Sequence, residues 1–172
     1  MEKIRLSAPL QKESVTDGPG LRMVIWNQGC QIHCPGCHNQ ETWDLHGGRE
    51  YPLEEILNDI RIYKNHHQGI TLSGGDPFLQ PKENKMIAQV AHEEGLDVWA
   101  YCGLTFEQIL NNPDKLDLLK ECDVLVDGPF IQEQRDITLK FKGSSNQRLI
   151  DVQKSLKEGK VVLWQRKQRF AA

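Results

Sequence analysis

Hydropathy along the chain switches repeatedly between two periods. Short runs dense in apolar and β-branched residues read as buried strands: RMVIW (Arg22 to Trp26), GITLS (Gly69 to Ser73), DVWAY (Asp97 to Tyr101) and DVLVD (Asp123 to Asp127). Between them the apolar residues fall at helical spacing. Pro52 opens one such stretch, with Leu53, Ile56, Leu57 and Ile60 on a single face. Pro81 opens another, carrying Met86, Ile87, Val90 and Ala91 and stopping at Gly95. Thr105 with Gln108 three residues on reads as a capping box for a helix bearing Ile109 and Leu110. Pro113 then starts a shorter helix with Leu116, Leu118 and Leu119. RLID (Arg148 to Asp151) and KVVLW (Lys160 to Trp164) predict a fifth and a sixth strand, with a short helix around Leu156 between them. IRL, beginning at Ile4, predicts an antiparallel edge strand.

Strands alternating with amphipathic helices predict an α/β fold, a parallel sheet with helices packed on it. A closed eightfold barrel usually takes about 250 residues. A chain of 172 residues is short of that. The expectation is therefore an open, partial (βα) barrel of about five to six parallel strands, formed by one domain over residues 1–172. Ligands in such sheets bind at the carboxyl ends of the strands. The loops after Trp26, Ser73, Tyr101 and Asp127 are where chemistry is expected.

Composition narrows the class. A formal net charge of -3 argues against a broad nucleic-acid or membrane surface, because phosphate binding needs a basic stripe. No run approaches the roughly 20 apolar residues of a membrane span, and the first residues contain no apolar segment of signal-peptide length. A cytoplasmic, reducing location is the expectation. Five cysteines there, an odd number, point away from a disulfide framework and towards metal.

Three of those cysteines, Cys30, Cys34 and Cys37, sit in GCQIHCPGCHNQ, directly after the first strand. Two metal readings compete. Structural zinc takes four closed ligands. One C-x2-C pair is present, and the candidate fourth ligands, His33 and His38, each adjoin a cysteine. A [4Fe-4S] cluster normally takes four cysteines. With three, one iron keeps an open position, which marks a site that binds something.

C-x3-C-x2-C after the first strand of a partial βα barrel resembles the radical SAM superfamily. The resemblance implies a [4Fe-4S] cluster on Cys30, Cys34 and Cys37, with S-adenosyl-L-methionine chelating the fourth iron. SGGDP, Ser73 to Pro77, follows the second strand. A tight glycine turn explains it locally. In the superfamily, the matching GGE-like motif contacts the methionine amino group, a role that falls here on Ser73, Gly74, Gly75 and Asp76. Many members carry an aromatic residue before the last cysteine, beside the adenine. This chain has Gly36 there, leaving backbone groups of Gly36, Cys37 and His38 to meet the adenine edge.

DGPGLR (Asp17 to Arg22) and CHNQETWD (Cys37 to Asp44) resemble the activating enzymes of glycyl radical enzymes. DVLVDGPF (Asp123 to Phe130) and KGSSNQRLID (Lys142 to Asp151) resemble the activases of anaerobic ribonucleoside-triphosphate reductases in particular. The implied partners are the large subunit of that reductase and a flavodoxin-like electron donor. The implied reaction is reductive cleavage of S-adenosylmethionine, giving a 5′-deoxyadenosyl radical that takes a hydrogen from a glycine of the reductase. An activase of another glycyl radical enzyme, such as pyruvate formate-lyase, is the nearest alternative, and a zinc-binding structural module is the alternative of a different class.

Asp127 reads either as a turn residue before Gly128-Pro129 or as a polar wall near the methionine carboxylate, acting through a bound cation. Arg148 is placed to steady a carboxylate. Cys102 and Cys122 read as small buried hydrophobes, Cys102 being the one that could face a cofactor. His66 and His67 suit the negative end of a helix. Trp26 and Trp99 are expected in the core and Trp43 beneath the cysteine loop. The tail, Trp164 to Ala172, reads as a frayed terminus or, more weakly, a docking segment.

Overall fold

The computed structural model describes residues 2–166 and shows one eight-stranded mixed sheet with helices packed mainly on one face. Two short antiparallel strands, β1 (Lys3–Leu6) and β2 (Gln11–Ser14), precede β3 (Arg22–Asn27). The cysteine loop follows, then β4 (Arg49–Pro52) and helix α1 (Leu53–Tyr63). Next come β5 (Gly69–Gly74), α2 (Pro81–Glu93) and β6 (Asp97–Tyr101). The remainder is α3 (Phe106–Leu110), α4 (Pro113–Leu119), β7 (Val124–Asp127), β8 (Arg148–Asp151) and α5 (Val152–Glu158). Spatial order is β4-β1-β3-β5-β6-β7-β8, with β2 alongside β3. The capping box at Thr105 and Gln108 forms as expected. Among the described residues, no helix is long and apolar enough to cross a membrane.

The α/β class and the alternating order hold, and the sheet stays open, with β4 and β8 at its edges. The strand count is corrected. Four strands are mutually parallel, β3, β5, β6 and β7. β8 runs antiparallel to β7, pairing Asp127 with Arg148 and Val124 with Asp151. A parallel β8 would need a crossover of a dozen or more residues, usually helical. The segment after β7 instead folds as an irregular excursion beside the sheet end and returns directly. The expected sixth strand is reduced to one antiparallel bridge, between Leu163 and Ile150. β2 and β4 were not anticipated: QKES and REYP are too polar to read as strands. Of the tail, residues 167–172 lie outside the described residues.

Period-two alternation decides which side of the sheet each side chain serves. Val98 and Ala100 on β6 and Leu125 on β7 join the large core under the helices, with Ile25, Leu72 and Ile87. Their neighbours Trp99, Val124 and Val126 point the other way into a smaller cluster with Tyr101, Phe141 and Trp164. There Trp99 packs edge-on against Phe141 and Trp164, with centroids at 5.2 and 4.9 Å. Such contacts add about 0.5–1.5 kcal/mol beyond burial.

DGPGLR lies at the amino end of the parallel strands, opposite the cysteine loop. Arg22 is fully buried. It donates to Thr71 Oγ1, to the carbonyls of Pro19 and Ile70, and to Asp97 at 2.5 Å. The motif therefore closes the bottom of the sheet.

Candidate metal centre

Parallel pairing in register brings Asn27, Gly74 and Tyr101 to one edge. The cysteine loop leaves β3 at this edge and is pinned in place by its backbone. Gly29 N–H donates to the Thr42 carbonyl at 2.7 Å and Cys30 N–H to the Trp43 carbonyl at 3.3 Å. From β5, the amides of Gly75 and Asp76 donate to the carbonyls of Asn27 and Gly29, each at 2.8 Å. This close approach is what the double glycine is for. A Cβ on Gly74 would lie 2.3 Å from the Asn27 carbonyl oxygen, and one on Gly75 would lie 2.3 Å from that of Gly29.

Cys30, Cys34 and Cys37 are free, half-buried and line one cavity of about 130 Å³. Asn39 N–H donates to Cys37 sulfur at 3.4 Å. Burial pushes the Cys30 and Cys34 thiols above their ordinary range, so a bound cation is what would favour the thiolates. Among the described residues no three His, Cys, Asp or Glu side chains converge closely enough for a single ion. In an iron–sulfur cube each thiolate would take its own iron, and the donor set fits that object: three sulfurs around one cavity, one of them accepting a peptide N–H. The histidines that zinc would need are engaged elsewhere. His33 stacks on Trp43 at 4.5 Å, and His38 leans on Phe130 at 5.9 Å.

The rest of the wall comes from Trp43, Gly74, Gly75, Tyr101, Gly128 and Phe130, with Ile32, Thr42, Cys102, Gly103, Val126 and Gln147. No Asp, Glu, Lys, Arg or His is among these lining residues. The ionisable side chains of the wall are thiols and the Tyr101 phenol, a set suited to holding a thiophilic cofactor.

The other expected site residues fall as follows. Ser73 and Gly74 end β5 beside the loop. Gly36 adopts φ 79° and faces the Gln132 side chain. Asp76 is buried, accepts Phe78 N–H at 2.9 Å and contacts Cys102 Sγ at 3.5 Å. Desolvation pushes its carboxyl upward.

Gly36, His38, Ser73, Asp76 and Asp127 lie outside the cavity wall. Asp127 Oδ2 accepts Phe106 N–H at 2.8 Å and Arg148 at 2.6 Å, and its Oδ1 accepts Arg148 at 3.1 Å. Arg148 also grips Glu107 at 2.7 Å. The carboxylate that Arg148 steadies is thus Asp127's, and Asp127 anchors the start of α3.

Tyr101, Phe130 and Gln147 escaped the sequence reading as individual wall residues. Phe130 and Gln147 sit in the motif-bearing stretches after β7. Buried Ser144 accepts Ile131 N–H, Asn146 donates to the Pro129 carbonyl, and Gln147 donates to that of Gly128. GSSNQR therefore holds Gly128–Ile131 against the cysteine loop. Tyr101 is signalled only by parity, as a strand-end residue on the face opposite the helices.

Known proteins agree with this geometry. Residues 16–150 match the family described as 4Fe-4S single cluster domains, so the fold and the three-thiol cavity define a single-cluster iron–sulfur protein. The chain is 36% identical over 140 residues to the anaerobic ribonucleoside-triphosphate reductase-activating protein of Salmonella typhi, covering 77% of this chain and 90% of the relative. The protein of that name from Escherichia coli strain K12 is 35% identical over the same shares, and that of Enterobacteria phage T4 is 33% identical, covering 77% and 85%. The chain belongs to the family of anaerobic ribonucleoside-triphosphate reductase-activating proteins.

Proposed function

We propose that this single-domain chain is a radical SAM activase that installs a glycyl radical on an anaerobic ribonucleoside-triphosphate reductase. The observation that carries the reading is the cavity itself, three thiols at the carboxyl edge of a parallel sheet in a wall without carboxylate, histidine, lysine or arginine. When bound, the cluster supplies one electron to the sulfonium of S-adenosylmethionine, yielding methionine and the 5′-deoxyadenosyl radical that takes a hydrogen atom from the reductase glycine. Cys30, Cys34 and Cys37 would hold three of its irons. The amide of Asn39 donates to Cys37 sulfur and stabilises negative charge there. Cys102 is not a fourth ligand in this reading, because its sulfur is turned onto Asp76.

Asp76 accepts the methionine ammonium, beside Ser73, Gly74 and Gly75. Backbone groups of Gly36, Cys37 and His38 meet the adenine edge. Asp127 anchors α3 through its amide bond and Arg148. A flavodoxin-like protein delivers the electron, and the reductase large subunit presents the glycine. The reducing cytoplasm is the setting.

Anaerobic purification is expected to give about four irons and four sulfides per chain. Mixing with reductase, reductant and S-adenosylmethionine is expected to give a glycyl doublet by EPR. A radical on pyruvate formate-lyase alone would refute the partner. One zinc and no iron would refute the cluster.

A further inference from the structure

Asp76 is about as buried as a carboxylate can be, at 2% exposure. Its two hydrogen bonds both fall on Oδ1, from Phe78 N–H at 2.9 Å and from the Cys102 thiol at 3.5 Å. Oδ2 takes no hydrogen bond among the described residues, yet it is not sealed from solvent. One oxygen is thus tied down and the other left available. A single amide would fix the position of Oδ1 but leave the carboxyl plane free to turn about it. A second donor from another direction removes that freedom.

Cys102 is built to be that donor. It follows β6, lies at 5% exposure and forms part of the cavity wall. Its own amide donates to the Val126 carbonyl on β7 at 3.0 Å, and its sulfur accepts Leu104 N–H at 3.4 Å. The first fixes the backbone at Cys102, and the second occupies the sulfur as acceptor and leaves its S–H for Asp76 Oδ1 at 3.5 Å. Burial and the neighbouring carboxylate hold the thiol well above its ordinary range, so it remains a proton donor at neutral pH.

We propose that Cys102 is a positioning residue: its thiol, with the Phe78 amide, orients Asp76 so that Oδ2 meets the ammonium group of bound S-adenosylmethionine. This inference rests on the reading of Asp76 given under the proposed function. Cys102 touches neither the reacting bond nor the iron, and its effect is on binding.

The test is equilibrium dialysis of S-adenosylmethionine against anaerobically reconstituted protein, with iron counted in every sample. Cys102→Ala removes the donor and is expected to weaken binding about fivefold, the equivalent of one modest hydrogen bond. Cys102→Ser keeps a donor and is expected to stay within about twofold of wild type. Asp76→Asn is expected to weaken binding at least tenfold. Equal affinities for the Ala and Ser variants would overturn the role of Cys102. Unchanged binding in Asp76→Asn would overturn the underlying reading of Asp76 instead. If the Ala variant fails to load iron, Cys102→Val against Cys102→Ser makes the same comparison. Loss of iron in all three Cys102 variants would assign Cys102 to assembly of the fold and refute the proposal.

Discussion

Replacing Gly75 by alanine adds one methyl group where β5 meets the cysteine loop. Gly75 has no positive φ, so the substitution is not a backbone-strain experiment. The added Cβ would stand 2.3 Å from the Gly29 carbonyl oxygen and 2.8 Å from its carbon, where ordinary contact begins near 3.4 Å. The overlap of roughly 1 Å falls on backbone, which cannot rotate away as a side chain would. Gly29 must retreat, and with it go the Asp76 N–H bond at 2.8 Å and the adjoining Cys30. Overpacking costs about 1–3 kcal/mol, and a lost hydrogen bond adds about 1 kcal/mol. At about 2–4 °C per kcal/mol, melting should fall by roughly 5–15 °C. Displacing one of three thiols by about 1 Å should also cut iron incorporation to below roughly half, since preorganised sites tolerate little misplacement. The assay is anaerobic reconstitution with iron and sulfide counts, paired with a thermal melt. Gly95→Ala is the control. That glycine has φ 78° and nothing within 4 Å of a new Cβ, so it should cost about 1–2 kcal/mol with full iron. Wild-type iron and melting in Gly75→Ala would refute the idea that this contact sets the loop.

Cys34→Ala should lose the cluster, and Cys122→Ala, fully buried away from the cavity, should keep it; visible absorbance after reconstitution reads both. Arg22→Met should cost about 1–3 kcal/mol in urea unfolding, because it leaves the Thr71 hydroxyl and the Pro19 and Ile70 carbonyls without their buried donor, while the remaining folded protein still loads iron. Glu107 has its carboxyl held below the ordinary range by the hydrogen bond from Arg148. A depressed carboxyl stabilises the fold above its unfolded pKa and loses that contribution as pH falls through the folded value. Glu107→Gln should therefore narrow the drop in melting temperature on acidification below about pH 4.5, by a small, salt-sensitive amount because the pair is exposed. An unchanged acid slope would show that the pair contributes nothing measurable.

Much of this protein is local, and local features are legible in a string of residues. The strands β3, β5, β6 and β7 read clearly because a parallel strand buried on both faces is almost continuously apolar. Helix starts read clearly at Pro81, Thr105 and Pro113 because caps and prolines act within one turn. Cys30, Cys34 and Cys37 lie within eight positions, so their convergence needs no tertiary information. β2 and β4 were invisible because a polar edge strand is defined by the partner it pairs with, and neither QKES nor REYP names one.

The sequence by itself settled the class of fold and the edge of the sheet at which Cys30, Cys34 and Cys37 gather. It did so because those facts follow from short-range periodicity and spacing. Only the tertiary structure decided the direction of β8, since orientation depends on how the chain crosses space between β7 and its return. Only it showed that Asp127 is spent on Phe106 and Arg148, and that Cys102 reaches Asp76 across 26 positions. A side chain's partners are chosen by packing among distant segments, and no spacing rule along the chain records that choice.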